Sequence, residues 1–88
     1  MDYFLFTYPS CLKCERIKKY LHASSLSFKE HNLVERESKL KIREFLGQIK
    51  RDDSGAIIIP TLIAHEQGSV AAVLNTAEEV ETWLKSRA

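Results

Sequence analysis

The chain has 88 residues, of which 44% are hydrophobic and 28% are charged, and its net charge is +1. This size and composition predict one compact domain over residues 1–88. A charge so close to zero gives no bulk attraction to nucleic acid or to a membrane surface, so neither is an expected partner. The sequence has no membrane-spanning run, and Met1 leads into an apolar strand and not into a signal peptide, so the expected compartment is the cytoplasm.

The first two predicted elements are a buried strand and an amphipathic helix. Residues 3–7 are an apolar run, which suits a central strand covered on both faces. A helix is predicted from about residue 11 to residue 24. Cys14, Ile17 and Leu21 share one face of it at helical spacing.

The middle of the chain predicts another strand and another helix. Residues 26–33 are more polar, which favours a strand at the edge of the sheet. Residues 36–50 carry an apolar stripe, with acidic residues at the start and basic residues at the end, as the helix dipole prefers. Residues 52–55 predict a loop.

The last third predicts a hairpin and a final helix. Residues 61–65 and 69–74 are apolar strands, and Gly68 supplies the permissive backbone of the turn between them. Residues 76–79 form a capping box that opens the helix. The order is therefore β-α-β-α-β-β-α. The crossover makes the first two strands parallel, and the hairpin can pair on the other side of the first strand.

Cys11 and Cys14 are the only cysteines, and they lie where the first strand gives way to the first helix. A C-x-x-C at such a junction is typical of a redox-active dithiol. A zinc site usually needs four nitrogen or sulfur ligands, whereas His22, His31 and His65 are scattered singly, so no metal site is predicted in one chain. Two copies would supply four thiolates, so a cluster shared between chains stays an alternative.

The positions of the two cysteines predict different roles for them. Disulfide exchange needs a thiolate, and a free cysteine has a pKa near ~8.5. A helix N-terminus presents unpaired N–H groups and about half a positive charge, which favours a thiolate at Cys11. Lys13 adds positive potential. Cys14 lies one turn further in, on the apolar face, so Cys11 is expected to attack the substrate and Cys14 to resolve the mixed disulfide.

Pro60 opens the third strand and has no N–H with which to continue a hydrogen-bonded ladder. The bond before it can be cis at a small cost, or Pro60 can simply start an edge strand in trans. The neighbouring backbone of Ile59 would then be free to pair with an extended substrate, as an added strand does.

Residues 6–14 and residues 58–62, taken with the element order, make the chain resemble a glutaredoxin of the thioredoxin superfamily. The resemblance implies an α/β fold with a four-stranded mixed sheet in the order 2-1-3-4 and helices on both faces. It also implies a cis peptide between Ile59 and Pro60 beside the cysteines. The implied activity is thiol–disulfide exchange with no bound cofactor, and glutathione is one candidate reductant.

The chain departs from the glutaredoxin pattern at three places. Tyr8 stands where glutaredoxins commonly carry a basic residue that helps to hold a glutathione carboxylate. Residues 58–59 are Ile-Ile in place of Thr-Val. Residues 73–76, after the fourth strand, are Val-Leu-Asn-Thr and lack the glycine pair and acidic residue that usually receive the γ-glutamyl end of glutathione. The N-terminus of the last helix could still bind a carboxylate, although Glu78 and Glu79 in its first turn oppose this.

The sequence therefore predicts a cytoplasmic, monomeric thiol–disulfide oxidoreductase that uses Cys11 and Cys14. Its substrates are protein disulfides, glutathione mixed disulfides or both. The residues expected to contact substrate are Tyr8, Lys13, Ile59, Pro60, Asn75 and Thr76. One alternative is a thioredoxin-like electron donor dedicated to a single partner enzyme. Another is a module that keeps the fold to dock a partner or to share a cluster.

Overall fold

The computed structural model describes residues 1–87 and contains one four-stranded sheet. The strands are β1 Asp2–Thr7, β2 Lys29–Asn32, β3 Thr61–Glu66 and β4 Ser69–Leu74. The helices are α1 Leu12–Ala23, α2 Arg36–Ile42 with a 3-10 turn at Arg43–Phe45, and α3 Ala77–Ser86. The strand order is β2-β1-β3-β4, with β1 parallel to β2 and the other two pairs antiparallel. The predicted fold class, element order and sheet order are confirmed.

The central strand β1 is buried on both faces of the sheet, because successive side chains of a strand point to opposite sides. Leu5 packs with α1 and α3 on one face, against side chains such as Ile17 and Val80. Phe6 packs on the other face, against Ile42 and other side chains of the α2 region. Burying each such side chain stabilises the fold by roughly 1.5–3 kcal/mol. No helix in residues 1–87 has both the length and the apolar character needed to cross a bilayer.

The predicted helix beginning near residue 11 is confirmed as α1. Its N-cap is Cys11, and Cys14, Ile17 and Leu21 form the predicted buried stripe. The helix ends at Ser24, whose backbone N–H closes the last turn by donating to the carbonyl of Tyr20 at 3.0 Å.

The second strand is shorter than predicted, spanning Lys29–Asn32 and not residues 26–33. Leu26 lies outside both α1 and β2, and its backbone N–H donates to the carbonyl of Leu21, near the end of α1, at 3.0 Å. This local hydrogen bond ties residue 26 to the end of the helix, and the ladder with β1 begins only at Lys29.

The second helix is also shorter than predicted, since α2 ends at Ile42 and its 3-10 extension ends at Phe45. Gly47 follows, and glycine costs about 1 kcal/mol in a helix relative to alanine. A hydrogen bond from Ile58 N–H to the carbonyl of Lys50, at 3.1 Å, then draws the chain toward residues 57–58. Residues 46–48 accordingly form turns in place of the predicted helix.

Candidate active site

The two cysteines lie in the first turn of α1, just after the end of β1. Ser10 has a φ of 56°, in the left-handed region, which turns the chain sharply between the strand and the helix. The Sγ atoms of Cys11 and Cys14 are joined as a disulfide, with Cα atoms 5.2 Å apart, within the usual range for such a bridge. The N–H of Cys14 donates to Cys11 Sγ at 3.1 Å, so Cys11 also caps the helix.

The environments of the two sulfurs differ in the way the sequence predicts. Cys14 is 1% exposed and belongs to the buried stripe of α1. Cys11 is partly exposed. A substrate therefore reaches Cys11 far more easily, which supports its predicted role as the attacking residue.

Alkylation of the reduced protein is expected to begin at Cys11. Its sulfur is the more accessible one and lies at the positive end of α1, so it should be both more exposed and more acidic. Iodoacetamide at mildly acidic pH, followed by peptide mass spectrometry over time, measures the order. Protein unfolded in denaturant is the control, where the two rates should become similar. Earlier modification of Cys14 in the folded protein would reverse the assignment of roles.

Lys13 is the cation of this turn whose charge is least compensated. Lys18 lies 2.9 Å from the carboxylate of Glu15, and Arg16 lies 3.9 Å from that of Glu78. Within residues 1–87, Lys13 has no ion pair of this kind, and its side chain is exposed. The effect of Lys13 on the Cys11 thiolate stays a prediction.

Lys13→Glu is expected to raise the pKa of the Cys11 thiol by less than about one unit, because solvent and salt screen an exposed charge. Short-wavelength ultraviolet absorbance of the thiolate measures the midpoint. A Cys14→Ser background leaves one thiol to titrate. Lys19→Glu, the same charge change further along the exposed face of α1, is the control. Equal shifts in both variants at low salt would show that Lys13 has no special role.

The loop before β3 carries the predicted cis peptide between Ile59 and Pro60. Thr61 pairs with Phe6 of β1, so the sheet register places Pro60 at the end of the sheet where β1 leads toward Cys11. Within residues 1–87, neither the N–H nor the carbonyl of Ile59 has a hydrogen-bond partner. These unpartnered groups are where an extended substrate is predicted to pair.

Asn75 lies between β4 and α3, and its side chain contacts this loop. The residue is 7% exposed. Its Nδ2, which carries two N–H groups, lies within hydrogen-bonding distance of three acceptors: the carbonyl of Pro60 at 3.0 Å, Oγ1 of Thr61 at 3.1 Å and the carbonyl of Ile58 at 3.3 Å. The sequence identified this position as a substrate contact but gave no sign that its amide bonds to the loop.

Thr76 is the N-cap of α3, as the capping-box pattern predicts, and its Oγ1 accepts the N–H of Glu79 at 3.0 Å. Glu79 reaches back in turn, and its Oε1 accepts the N–H of Asn75 at 2.9 Å. That hydrogen bond, together with Lys50 at 3.1 Å from Oε2, lowers the pKa of the Glu79 carboxyl below its ordinary value. Glu79 is therefore ionised and tied to two parts of the chain at neutral pH.

A small cavity of about 80 Å³ lies between the beginnings of α1 and α3. Its lining residues are Lys13, Arg16, Asn75, Thr76, Ala77 and Glu78. It thus brings together three of the predicted substrate contacts, whereas Tyr8, Ile59 and Pro60 lie outside it. Sites that enclose a small-molecule ligand usually measure about 300–1,000 Å³, so this one has room for a single group such as a carboxylate. An open groove of about 440 Å³ beside α3 is larger, but none of the predicted substrate contacts lines it.

Apolar side chains are exposed on the outer side of the cysteines. Leu12 is 88% exposed and Tyr8 is 49% exposed. Sequence reasoning did not select Leu12. The sequence does show that Leu12 is an apolar residue next to Cys11 that lies away from the buried face of Cys14 and Ile17, and this pattern could have indicated an exposed contact.

Potential metal ligands are dispersed in the described part of the chain. Residues 1–87 contain no group of three Cys, His, Asp or Glu side chains placed to hold an ion. The histidines instead pack against aromatic rings at centroid separations of 5.2 to 5.9 Å, in the pairs His22–Phe28, His31–Phe6 and His65–Phe45.

Solved structures with this architecture come from several organisms. NrdH-redoxin from Escherichia coli, described as a glutaredoxin-like protein with a thioredoxin-like activity profile, matches with a TM-score of 0.59 at 13% identity over 88% of this chain and 84% of its own. Glutaredoxin 1 from Francisella tularensis, complexed with cacodylate, matches with a TM-score of 0.60 at 11% identity over 98% of this chain and 94% of its own. A malarial protein matches with a TM-score of 0.61 at 14% identity over 98% of this chain and 97% of its own.

A scan against protein-family models finds no match, and neither does a search of curated proteins. At 11 to 14% identity the structural likeness concerns the fold, and it extends over nearly the whole chain. The chain therefore has a glutaredoxin-like fold.

Proposed function

We propose that the chain is a thiol–disulfide oxidoreductase in which Cys11 is the nucleophile and Cys14 is the resolving thiol. The observation that carries the proposal is the pairing of one partly exposed sulfur and one buried sulfur in the first turn of α1. The helix N-terminus stabilises the attacking thiolate, and burial keeps the second thiol for the second step.

The reaction takes place in two exchanges. The Cys11 thiolate attacks one sulfur of the substrate disulfide, so a bond forms between Cys11 and the substrate, and the other substrate sulfur leaves as a thiolate and takes a proton. Cys14 then gives up its proton and attacks Cys11 Sγ, which forms the Cys11–Cys14 bond and releases the second substrate thiolate. Two electrons and two protons pass to the substrate. A dithiol, or two molecules of a thiol such as glutathione, restores the reduced protein by the reverse exchanges.

Protein disulfides are the substrates that the surroundings favour. Leu12 and Tyr8 offer apolar surface beside Cys11, and the Ile59 backbone can pair with an extended chain. The cavity near Lys13 is too small to enclose glutathione, and Glu78 places a carboxylate at its wall. The thioredoxin-like activity profile of NrdH-redoxin, a structural neighbour, is in keeping with this preference.

The proposed setting is the reducing cytoplasm, where a C-x-x-C serves as a catalytic dithiol more often than as a structural bridge. The protein is proposed to act as a monomer, because the cysteines and the loop with Pro60 belong to the same chain.

Reduction of insulin in the presence of dithiothreitol tests the activity. The wild-type protein should accelerate insulin reduction well above the reagent alone, and a Cys11→Ser/Cys14→Ser variant should not. Wild-type rates equal to the blank would refute the proposal.

The reductant is tested separately. The oxidised protein is incubated with glutathione or with thioredoxin reductase and NADPH, and its free thiols are counted by mass spectrometry. We expect the thioredoxin-reductase arm to be the faster one. Faster reduction by glutathione would identify an ordinary glutathione-dependent enzyme and would overturn the proposed substrate preference.

A further inference from the structure

We infer that Asn75 is a positioning residue that holds the backbone edge of residues 58–60 in the form that receives a polypeptide substrate. The inference rests on the proposed function, because it concerns how a protein disulfide docks beside Cys11. It assigns to Asn75 a role through the loop, in place of direct contact with substrate.

The first observation is that Asn75 bonds to the carbonyls on both sides of Ile59. Its Nδ2 lies 3.3 Å from the carbonyl oxygen of Ile58 and 3.0 Å from that of Pro60. The Ile59 N–H and carbonyl between them have no partner within residues 1–87. Asn75 therefore restrains the flanking peptide groups and leaves the pairing groups of Ile59 available.

The second observation is that these contacts belong to a closed ring of hydrogen bonds. The ring runs from Lys50 Nζ to Glu79, from Glu79 Oε1 to the N–H of Asn75, from Asn75 Nδ2 to the carbonyl of Ile58, and from the N–H of Ile58 back to the carbonyl of Lys50. Its members come from the segment after α2, the loop before β3 and the start of α3. A closed ring restrains the loop more than a single contact does, because each bond fixes the partner of the next.

The third observation is that an amide at position 75 is chemically specific. Asn75 is 7% exposed, and burying a polar side chain costs free energy unless it is hydrogen-bonded. Its Oδ1 is buried without a partner in residues 1–87, so filling space alone would be achieved better by an apolar side chain. An aspartate would place an acceptor against the acceptors of Ile58 and Pro60. Position 75 therefore requires the hydrogen-bond donor that Nδ2 provides.

The consequence differs between two kinds of substrate. A polypeptide disulfide that pairs with Ile59 depends on the restrained edge, whereas a small disulfide needs only the exposed sulfur of Cys11. Loss of the Asn75 amide should therefore weaken the docking of polypeptides and leave the chemistry of the cysteines intact.

The test measures kcat and KM of Asn75→Ala with insulin and with hydroxyethyl disulfide. We expect kcat/KM toward insulin to fall about tenfold, mainly through KM, because more than one net hydrogen bond is lost. The value for hydroxyethyl disulfide should stay within about twofold of wild type. Val80→Ala, a fully buried residue of α3 outside the ring, is the control for general destabilisation and should not separate the two substrates.

Equal losses toward both substrates, or none toward insulin, would overturn the inference. A wild-type protein inactive on both substrates would instead refute the proposed function. If Asn75→Ala does not fold, Lys50→Met tests the inference in its place, because this variant removes only the half-exposed ion pair between Lys50 and Glu79. It should raise KM for insulin by about threefold without changing hydroxyethyl disulfide turnover. Lys85→Met, which breaks the Lys85–Glu81 pair on α3, is its control, and an unchanged KM for insulin in Lys50→Met would overturn the inference.

Discussion

Cys11→Ser is expected to reduce insulin reduction to the rate of the reagent blank, a loss on the order of a thousandfold or more. A serine hydroxyl is scarcely ionised at neutral pH and cannot form the mixed disulfide, so the first exchange cannot begin. Cys14 cannot substitute for it, because the residue is only 1% exposed. Initial rates at equal protein concentration measure the loss.

The variant is well suited to this test because the fold should tolerate it. Cys11 is the N-cap of α1, and serine is among the best N-cap residues, so its Oγ can accept the N–H of Cys14 that Cys11 Sγ accepts in the wild type. Circular dichroism and thermal unfolding should therefore remain close to wild type. A folded Cys11→Ser protein that retains much of its activity would show that Cys14 attacks the substrate.

Local patterns account for most of the fold that the sequence predicts. The apolar run of β1, the Cys14–Ile17–Leu21 stripe and the cap at Thr76 each depend on residues only a few positions apart. The errors lie at the ends of elements, where the apolar pattern continues beyond the regular hydrogen bonding. The apolar stripe of residues 36–50 continues to Ile49, but the helix ends at Ile42 and its 3-10 turn at Phe45, and Gly47 follows.

The candidate site likewise has residues that the sequence identifies and residues whose role only the folded structure shows. Cys11, Cys14 and Pro60 are recognisable because their spacing and their place at element boundaries are visible in the chain. The inward direction of the Asn75 amide is not visible, because it follows from packing between the ends of β4 and β3. The exposure of Leu12 is likewise settled only once α1 lies on the sheet.

Cys14→Ser is expected to accumulate as a mixed disulfide between Cys11 and a protein partner in cells. The variant can carry out the first exchange, but it has no thiol to release the adduct. Glutathione competes for the same sulfur. By the resemblance to glutaredoxins it is expected to lose two of its usual contacts here, because Tyr8 stands in place of a cation and residues 73–76 contain no glycine pair. Each lost charge-assisted contact is typically worth ~1–3 kcal/mol, so losing even one weakens glutathione binding roughly tenfold or more.

Protein partners lose less from those replacements. They can pair with the Ile59 backbone, which has no partner within residues 1–87, and can contact the exposed side chain of Leu12. Alkylation during lysis, non-reducing separation and mass spectrometry of the recovered variant give the ratio of protein adducts to glutathionylated protein. Cys11→Ser/Cys14→Ser is the matched control and should carry neither. If nearly all of Cys14→Ser carries glutathione and no protein adduct is found, the replacements at Tyr8 and residues 73–76 do not determine substrate choice, and the enzyme is an ordinary glutathione-dependent one.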